Sequence, residues 1–430
     1  MTVPNPTILR IDAAGVADAH VLHAPGSLLL SLDEQAAPRV LAVGHPADVD
    51  THAAAADARC LARHEAVVMP GLVNAHAHLD LTAIGPRPSG GSFGAFVDLV
   101  RAERPREPAA IAAGVRTGVS LSIRGGVVAV GDIAGCPPAG PTLAPFDALA
   151  ASGLAGVSFL EFFAIGASLR RGIEAMQALA PRAQTGSVRF GLQPHAPYSA
   201  AGEAYHAAAL YDSLPLATHL AETPEEIELI ARGSGPFRAF LERLGLWDDS
   251  CVRAFGQGLT PVAHVLGALA GKGVLAAHVN SATDDDIALL ARTGSCVAYC
   301  PRSSAYFHAP QRLGAHRYRD MLDAGVSVAL GTDSIINLDT PDRISTLDEM
   351  RLLFRRDTTP ARTLLAMATT HGARALGLDP SVFTLAPGSH PLGVMAVGFN
   401  HGLADPLESV LRGVEPPEML IGADSGRLRT

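Results

Sequence analysis

Lysine is almost missing from this chain: Lys272 is the only one, and arginine supplies every other basic side chain among the 33 present. Any chemistry that needs a lysine must therefore use that one position. Cysteine is also scarce. Cys60, Cys136, Cys251, Cys296 and Cys300 form no CxxC pair, and an odd number in a long chain argues against a disulfide framework, so they read as reduced core thiols. Charged residues make up 17%, with a net charge of −9 and no acidic or basic block, which disfavours nucleic-acid and membrane-surface partners. No apolar run reaches the roughly 18 residues of a membrane span. Residues 1–12 lack a basic start followed by an apolar core, so a soluble, cytoplasmic protein is expected. At 430 residues and 48% apolar, the chain has room for one large α/β barrel with an extra layer, or for two ordinary domains.

The most informative stretch is 69–80, Met-Pro-Gly-Leu-Val-Asn-Ala-His-Ala-His-Leu-Asp, where an apolar strand runs into two histidines. Side chains at i and i+2 of a strand share a face about 7 Å apart, so His76 and His78 can close on one ion beyond the strand end. Neutral imidazoles suit zinc, iron or nickel. Two histidines could also fall two apart by chance, or one could be a satisfied core residue. The metal reading gains from three later stretches in fixed order: Thr218-His219-Leu220-Ala221-Glu222, Ala277-His278-Val279-Asn280 and Gly331-Thr332-Asp333-Ser334.

Residues 1–65 alternate short apolar runs with Gly, Pro, Asp and His turns, and 394–399 has the same character. A small β-sandwich-like domain built from 1–65 and 380–430 is expected. Between them, over 66–379, strand-like runs alternate with helical stretches. The strands are expected at 66–74, 127–132, 156–163, 188–193, 215–219, 274–278, 295–299 and 326–330. Helices are expected at 109–124, 146–151, 169–180, 201–211, 223–244, 260–270, 283–293 and 360–376. Eight such units make an α/β (β/α)8 TIM-like barrel, in which chemistry gathers at the C-terminal strand ends. The four stretches sit at the ends of strands 1, 5, 6 and 8. Thr223-Pro224-Glu225-Glu226 and Thr283-Asp284-Asp285-Asp286 read as helix starts, so their carboxylates receive no catalytic role.

A hydrolytic metal centre needs fixed ligands, an open position for water, and a base within reach of that water. His76, His78 and His219 offer three imidazoles, and Asp333 a carboxylate that completes the shell or holds the water. Glu222 lies three residues past His219, too far along for the same strand face. It must fold back over the site, which suits a proton shuttle better than a ligand. His278 ends strand 6 and can bind metal or hydrogen-bond the water. Taken singly, Glu222 could be a helix-start carboxylate, Asp333 a turn former and His278 a buried polar residue. His206, His264, His316 and His371 fall in helical stretches and read as structural or surface residues.

The set resembles the amidohydrolase superfamily over nearly the whole chain, through "PGLVNAHAHLD", "HLAETPEE", "AAHVN" and "GTDS". The resemblance implies that His76, His78, His219 and Asp333 bind one divalent transition metal, zinc first and iron second. It implies that Glu222 is the proton shuttle of the deaminase branch, with His278 and Asp333 orienting a hydroxide that attacks an amine-bearing ring carbon and releases ammonia. "GLQPHAPYS" resembles the substrate-contacting motif of the deaminases of adenine nucleosides, at His195. "GSGPFRAFLERLG", "CPRSSAY" and "LDEMRLL" look most like the aminodeoxyfutalosine deaminases. Their substrate carries a carboxylate, for which Arg87, Arg101, Arg104, Arg106 and Arg302 are candidate partners, with Ser303 beside the last. Other amino-heterocycles (guanine, 8-oxoguanine, cytosine, triazine) and a non-catalytic scaffold are the alternatives. A two-metal amidase bridged by a carboxylated lysine is disfavoured, since strand 4 has no lysine and Lys272 precedes strand 6. The expected partner is a small-molecule substrate, with a homodimer as a candidate assembly and no nucleic acid or membrane.

Overall fold

The computed structural model describes residues 6–33, 37–137, 139–180, 186–400 and 404–422. The chain opens with β1 (Thr7–Ala17), β2 (Leu22–His23), β3 (Gly26–Leu32), β4 (Arg39–Gly44) and β5 (Arg59–Pro70). In β1 the side chains of Leu9, Ile11 and Ala13 are buried while those between them are partly open, the period of two that a half-covered strand requires. β3 pairs antiparallel with β1, and β5 lies parallel to it.

The single strand expected at 66–74 is two. The chain breaks at Gly71 between β5 and β6 (Leu72–His78), and a Cβ there would fall 2.5 Å from the Val128 side chain. β5 belongs to the terminal sheet and β6 opens the next one, so one continuous apolar run serves both. The following strands are β7 (Val127–Ala134), β8 (Ala155–Phe162), β9 (Val188–Pro194), β10 (Ala217–Leu220), β11 (Leu275–His278), β12 (Cys296–Tyr299), β13 (Ser327–Leu330) and β14 (Asp333–Ser334). They form two parallel sheets, ordered β14-β6-β7-β8-β9 and β10-β11-β12-β13. An isolated parallel bridge, Leu192 to Leu216, joins one pair of edges, and the pairing of Asp333 with Ala77 ties the β13 end back to β6. β15 (Val394–Gly398) and β16 (Pro417–Ile421) return to the terminal sheet, where β15 runs antiparallel to β5.

Small side chains let the parallel strands face one another. Val73, Ala75, Ala129, Val157, Ala217, Ala298 and Ala329 share one buried cluster with Phe159. β9 contributes Gly191, whose missing Cβ leaves room for the Phe159 ring. Larger residues such as Leu220, Leu266, Leu330 and Leu364 fill a second layer towards the helices. The expected helix at 223–244 is divided into Pro224–Arg232 and Pro236–Arg243, because Gly233 and Gly235 take positive φ and end the first. The one at 360–376 is divided into Ala361–Met367 and Thr370–Ala375. Helices Phe93–Glu103 and Thr346–Asp357 were not anticipated. Among the described residues no helix is long and apolar enough to cross a membrane.

Gly156 shows how tightly the strands are set: its φ is +136°, and an added Cβ would lie 1.9 Å from the carbonyl oxygen of Val130. Gly156→Ala is expected to cost about 3 kcal/mol or more, combining strain with overpacking. Urea unfolding measures it, and a loss below about 1 kcal/mol would mean the strands yield more readily than this contact implies.

Candidate metal centre and active site

The parallel pairings bring the expected histidines level. His219 lies opposite Ala277 on β11, and Asp333 opposite Ala77, between His76 and His78. All four side chains are buried. The His76 ring lies 5.2 Å from that of His78 and 5.0 Å from that of His219, centroid to centroid. His78 Nε2 and His219 Nε2 are 3.2 Å apart, and His78 Nε2 is 3.5 Å from Asp333 Oδ1. His219 Nδ1 lies 3.0 Å from the backbone oxygen of His195 and 3.2 Å from the Gln193 side-chain amide; the carbonyl can only accept whereas the amide can present either end, which assigns the proton to Nδ1 and leaves the Nε2 lone pair free. His76 Nε2 is buried with no hydrogen-bond partner. Burial first, and neighbouring imidazoles after it, hold His76 and His78 well below the usual histidine range, so both are neutral. His76, His78 and His219 each offer one ligand atom within 4.8 Å of the others, and so do Glu222, His278 and Asp333. An unpartnered buried nitrogen among converging neutral imidazoles fits a borderline-soft divalent ion.

Holding these groups strains the backbone. Ala221, His278, Val279 and Asp333 have φ of 50°, 72°, 50° and 58°, a region that costs a non-glycine residue about 1–3 kcal/mol. Each turn is pinned. Asp333 Oδ2 accepts from Ser303 Oγ (2.6 Å) and Asn337 Nδ2 (2.8 Å), and Oδ1 from Ser334 N (2.8 Å). The Glu226 carboxylate accepts from the backbone N–H groups of Ala221 and Glu222 at 2.7 and 3.0 Å, folding the loop so that Glu222 faces the site. Asn280 donates to the Glu222 carbonyl (3.0 Å). Glu222 Oε1 thereby comes 3.6 Å from His278 Nε2. Burial, then the carboxylates of Asp333 and Glu226, push the Glu222 pKa well above the usual range. His316, expected to be structural or on the surface, donates from Nε2 to the His278 carbonyl at 2.8 Å and stacks on Tyr299, 3.7 Å between centroids. It therefore buttresses one of the strained turns.

The sequence reading overlooked Glu161, at the end of β8. It is buried, and its Oε2 accepts from Cys136 N (3.2 Å) and lies 3.5 Å from Arg104 Nη1. Burial raises its pKa, but His195, Arg104, His78 and His219 outweigh that and bring it to about 2. Glu161, His195 and His219 could also group around an ion. That grouping would share His219 with the first, and with its Nδ1 hydrogen-bonded to a carbonyl His219 has one nitrogen to give. His195 Nδ1 is 2.6 Å from Ser199 Oγ.

A cavity of about 1050 Å³ opens on the site, lined by His78, His195, His219, Glu222, His278 and Asp333 at its floor. Phe96, Phe163, Tyr198, Phe237 and Phe240 form apolar walls, and Arg101, Arg106, Arg171 and Arg243 stand further out, exposed. Among the arginines expected to meet a carboxylate, Arg101 and Arg106 line the cavity, and Arg104 lines it but is engaged with acids. Arg87 pairs with Glu103 on the surface. Arg302 does not line the cavity; it is buried, with Nε on Glu349 Oε1 and Nη1 on Asp339 and Thr340, because a buried guanidinium needs acids around it. Ser303 is turned to Asp333. Lys272 caps carbonyls of Ala209 and Tyr211, away from these residues.

A donor set of this kind, open to a cavity and overhung by a carboxyl group, is that of hydrolases that work through a bound metal. The chain belongs to the amidohydrolase family, which matches residues 67–391. It is 30% identical to the aminodeoxyfutalosine deaminase of Deinococcus radiodurans over 369 residues, 79% of each chain. It is 31% identical to the 5-methylthioadenosine/S-adenosylhomocysteine deaminase of Nitratidesulfovibrio vulgaris, over 81% of this chain and 75% of the other. The fold matches a zinc-bound adenosine deaminase from Xanthomonas campestris with a TM-score of 0.70 at 21% identity, covering 98% and 93% of the two chains.

With the candidate ligand groups gathered at one place, His78 Nε2 3.5 Å from Asp333 Oδ1, and no lysine nearby to bridge two ions, one transition-metal ion per chain is expected. Elemental analysis of protein purified without chelator checks this, and two tightly held equivalents would overturn the mononuclear arrangement.

Proposed function

We propose that this protein is a metal-dependent aminohydrolase that replaces the exocyclic amine of an adenine-type nucleoside by oxygen, with aminodeoxyfutalosine as its substrate. The observation that carries this reading is the meeting of Glu222, His278 and Asp333 over the three imidazoles, with Glu222 3.6 Å from His278. His76, His78, His219 and Asp333 would hold the metal, zinc by preference and iron as second choice. When bound, it supplies Lewis-acid activation of water, lowering its pKa from about 15.7 towards about 7. Glu222 takes a proton from the attacking water and delivers one to the ring nitrogen. His278 and Asp333 orient the water, and ammonia leaves from the tetrahedral carbon. His195, at the cavity floor, holds the substrate. The reading places this chemistry on a closed (β/α)8 barrel, 66–379, joined to a terminal β unit of 1–65 and 380–430.

The choice of substrate rests on the outer cavity. Aminodeoxyfutalosine and methylthioadenosine share an adenine, but the former carries a benzoate at its far end. Arg101 and Arg243 both lie over the Phe240 ring, at 5.7 and 5.3 Å from its centroid, Arg106 Nη2 reaches the Arg101 carbonyl at 3.5 Å, and Arg171 also lines the cavity. An arginine fork beside an aromatic ring suits an aryl carboxylate.

Glu222→Gln is expected to keep metal and nucleoside affinity while turnover falls by at least about 10². Metal loss, or near-normal turnover, would remove Glu222 from proton transfer. In a side-by-side assay, kcat/KM for aminodeoxyfutalosine should exceed that for methylthioadenosine by at least about tenfold, the worth of one charge-assisted pair. Changing Arg101, Arg106, Arg171 and Arg243 singly to Ala should narrow the gap, and equal rates in the unaltered protein would take the carboxylate out of the argument.

A further inference from the structure

Arg104 stands at the end of helix Phe93–Glu103, its side chain only 12% exposed. Its Nε donates to Asp80 Oδ2 at 3.2 Å, and its Nη1 lies 3.5 Å from Glu161 Oε2 and donates to the Cys136 carbonyl at 3.4 Å. The room for it comes from Gly135, where a Cβ would sit 2.0 Å from Arg104 Nη2 and 2.7 Å from Asp80 Oδ2. One guanidinium between two carboxylates is spent on them, so Arg104 does not offer its fork to a substrate anion. What the clamp leaves over is the second oxygen of Glu161.

That oxygen, Oε1, receives no hydrogen bond from the described residues, although Glu161 lines the cavity. His195 Nε2 lies 3.8 Å from it, too far for a direct bond. The His195 ring is held from its other side by Ser199, so Nε2 also faces the cavity unpaired. Two fixed polar atoms, one an anionic acceptor, thus stand 3.8 Å apart beside the metal ligands, with the His195 and His219 rings 4.9 Å apart. An acceptor-only carboxylate repels anions and selects groups carrying hydrogen. Adjacent hydroxyls on one ring can each reach one of the two atoms.

Building on the deaminase reading, we infer that Glu161 and His195 form a two-atom cradle for a vicinal pair of substrate hydroxyls, with Arg104, Asp80 and Gly135 as its support. The cradle makes the site selective for ribosides over deoxyribosides. It also places the acidic end of the cavity inward, so that an anionic arm must extend towards the outer arginines.

The test uses binding, so that it is independent of turnover. Titration calorimetry of the metal-loaded protein with inosine and with 2′,3′-dideoxyinosine, which a deaminase would release as products, should show inosine binding about 10- to 100-fold more tightly, as expected for hydroxyls donating to a charged acceptor. Glu161→Leu should bring the ratio to within about threefold, and Glu161→Gln should fall between, both retaining the metal by elemental analysis. Equal binding of the two ligands by the unaltered protein overturns the cradle. So does an undiminished ratio in Glu161→Leu, or a loss of affinity for both ligands alike, which is what a purely structural role would give. Ammonia release from adenosine is measured in parallel; its absence with the binding ratio intact would count against the deaminase reading and leave the cradle standing.

Discussion

The arrangement depends on bringing imidazole lone pairs face to face inside the protein, His78 Nε2 and His219 Nε2 at 3.2 Å with His76 Nε2 unpartnered beside them. Burying such a cluster strips water from the imidazoles and leaves His76 Nε2 and His78 Nδ1 without a hydrogen bond in return. A cation among the three converts that liability into the binding energy of the site. Everything around it reads as a device for keeping the rings there: the strand pairing that sets His219 opposite Ala277, the carbonyl of His195 that fixes the His219 tautomer, and the β14 pairing that lifts Asp333 alongside. The strain is concentrated in the turns that follow the strands, where Ala221, His278, Val279 and Asp333 leave the preferred backbone region. Hydrogen bonds accepted by Glu226 and donated by His316, Ser303 and Asn337 over-determine those turns. Strain held this way fixes side-chain direction more firmly than a relaxed loop would.

Charge is ordered along the cavity. Among its lining residues Glu161, Glu222 and Asp333 are buried, while Arg101, Arg106, Arg171 and Arg243 are exposed. Glu161 is the sharpest case, since burial alone would favour its neutral form, yet His195 and then the Arg104 guanidinium bring its pKa down to about 2. A ligand negative at one end and hydrogen-bond donating at the other would be drawn in with one orientation.

Much of the site was legible because its residues are fixed by local rules. Histidines two apart on a strand must share a face, and ligand-type residues after apolar runs fall at strand ends. Glu222 was legible as a residue too far along to belong to that face, and the loop does fold back, though the cause, Glu226 reaching to two backbone N–H groups, is not visible in a helix-start pattern. Glu161 left no signal, because one acid inside Phe159-Leu160-Glu161-Phe162 looks like a strand residue of either face, and its partners Arg104 and His195 come from other elements. Arg302 misled for the same reason in reverse: at a strand end it resembles a ligand-binding arginine, but Glu349, 47 residues on, takes its guanidinium. The break at Gly71 was hidden inside an apolar run, since sequence periodicity does not register which sheet a strand joins.

The division between strand ends and loops also bears on what can change without loss of the chemistry. The residues proposed to hold the metal sit on β6, β10 and β14, whose positions are set by pairing with neighbours, so shifting one would disturb its whole sheet. The outer cavity is made chiefly by helices Phe93–Glu103 and Pro236–Arg243, which meet through Phe93 and Phe237, 5.9 Å between ring centroids, and through Arg101 over Phe240. Neither helix pairs with a strand, and both follow strands that carry proposed metal ligands. Substitutions on them can alter the size and charge of the outer cavity while the floor keeps its geometry. Arg104 breaks this separation: it caps the C-terminus of the first of these helices, yet its guanidinium reaches Glu161 at the floor, so a change in the loop that moved it would be felt beside the proposed metal ligands.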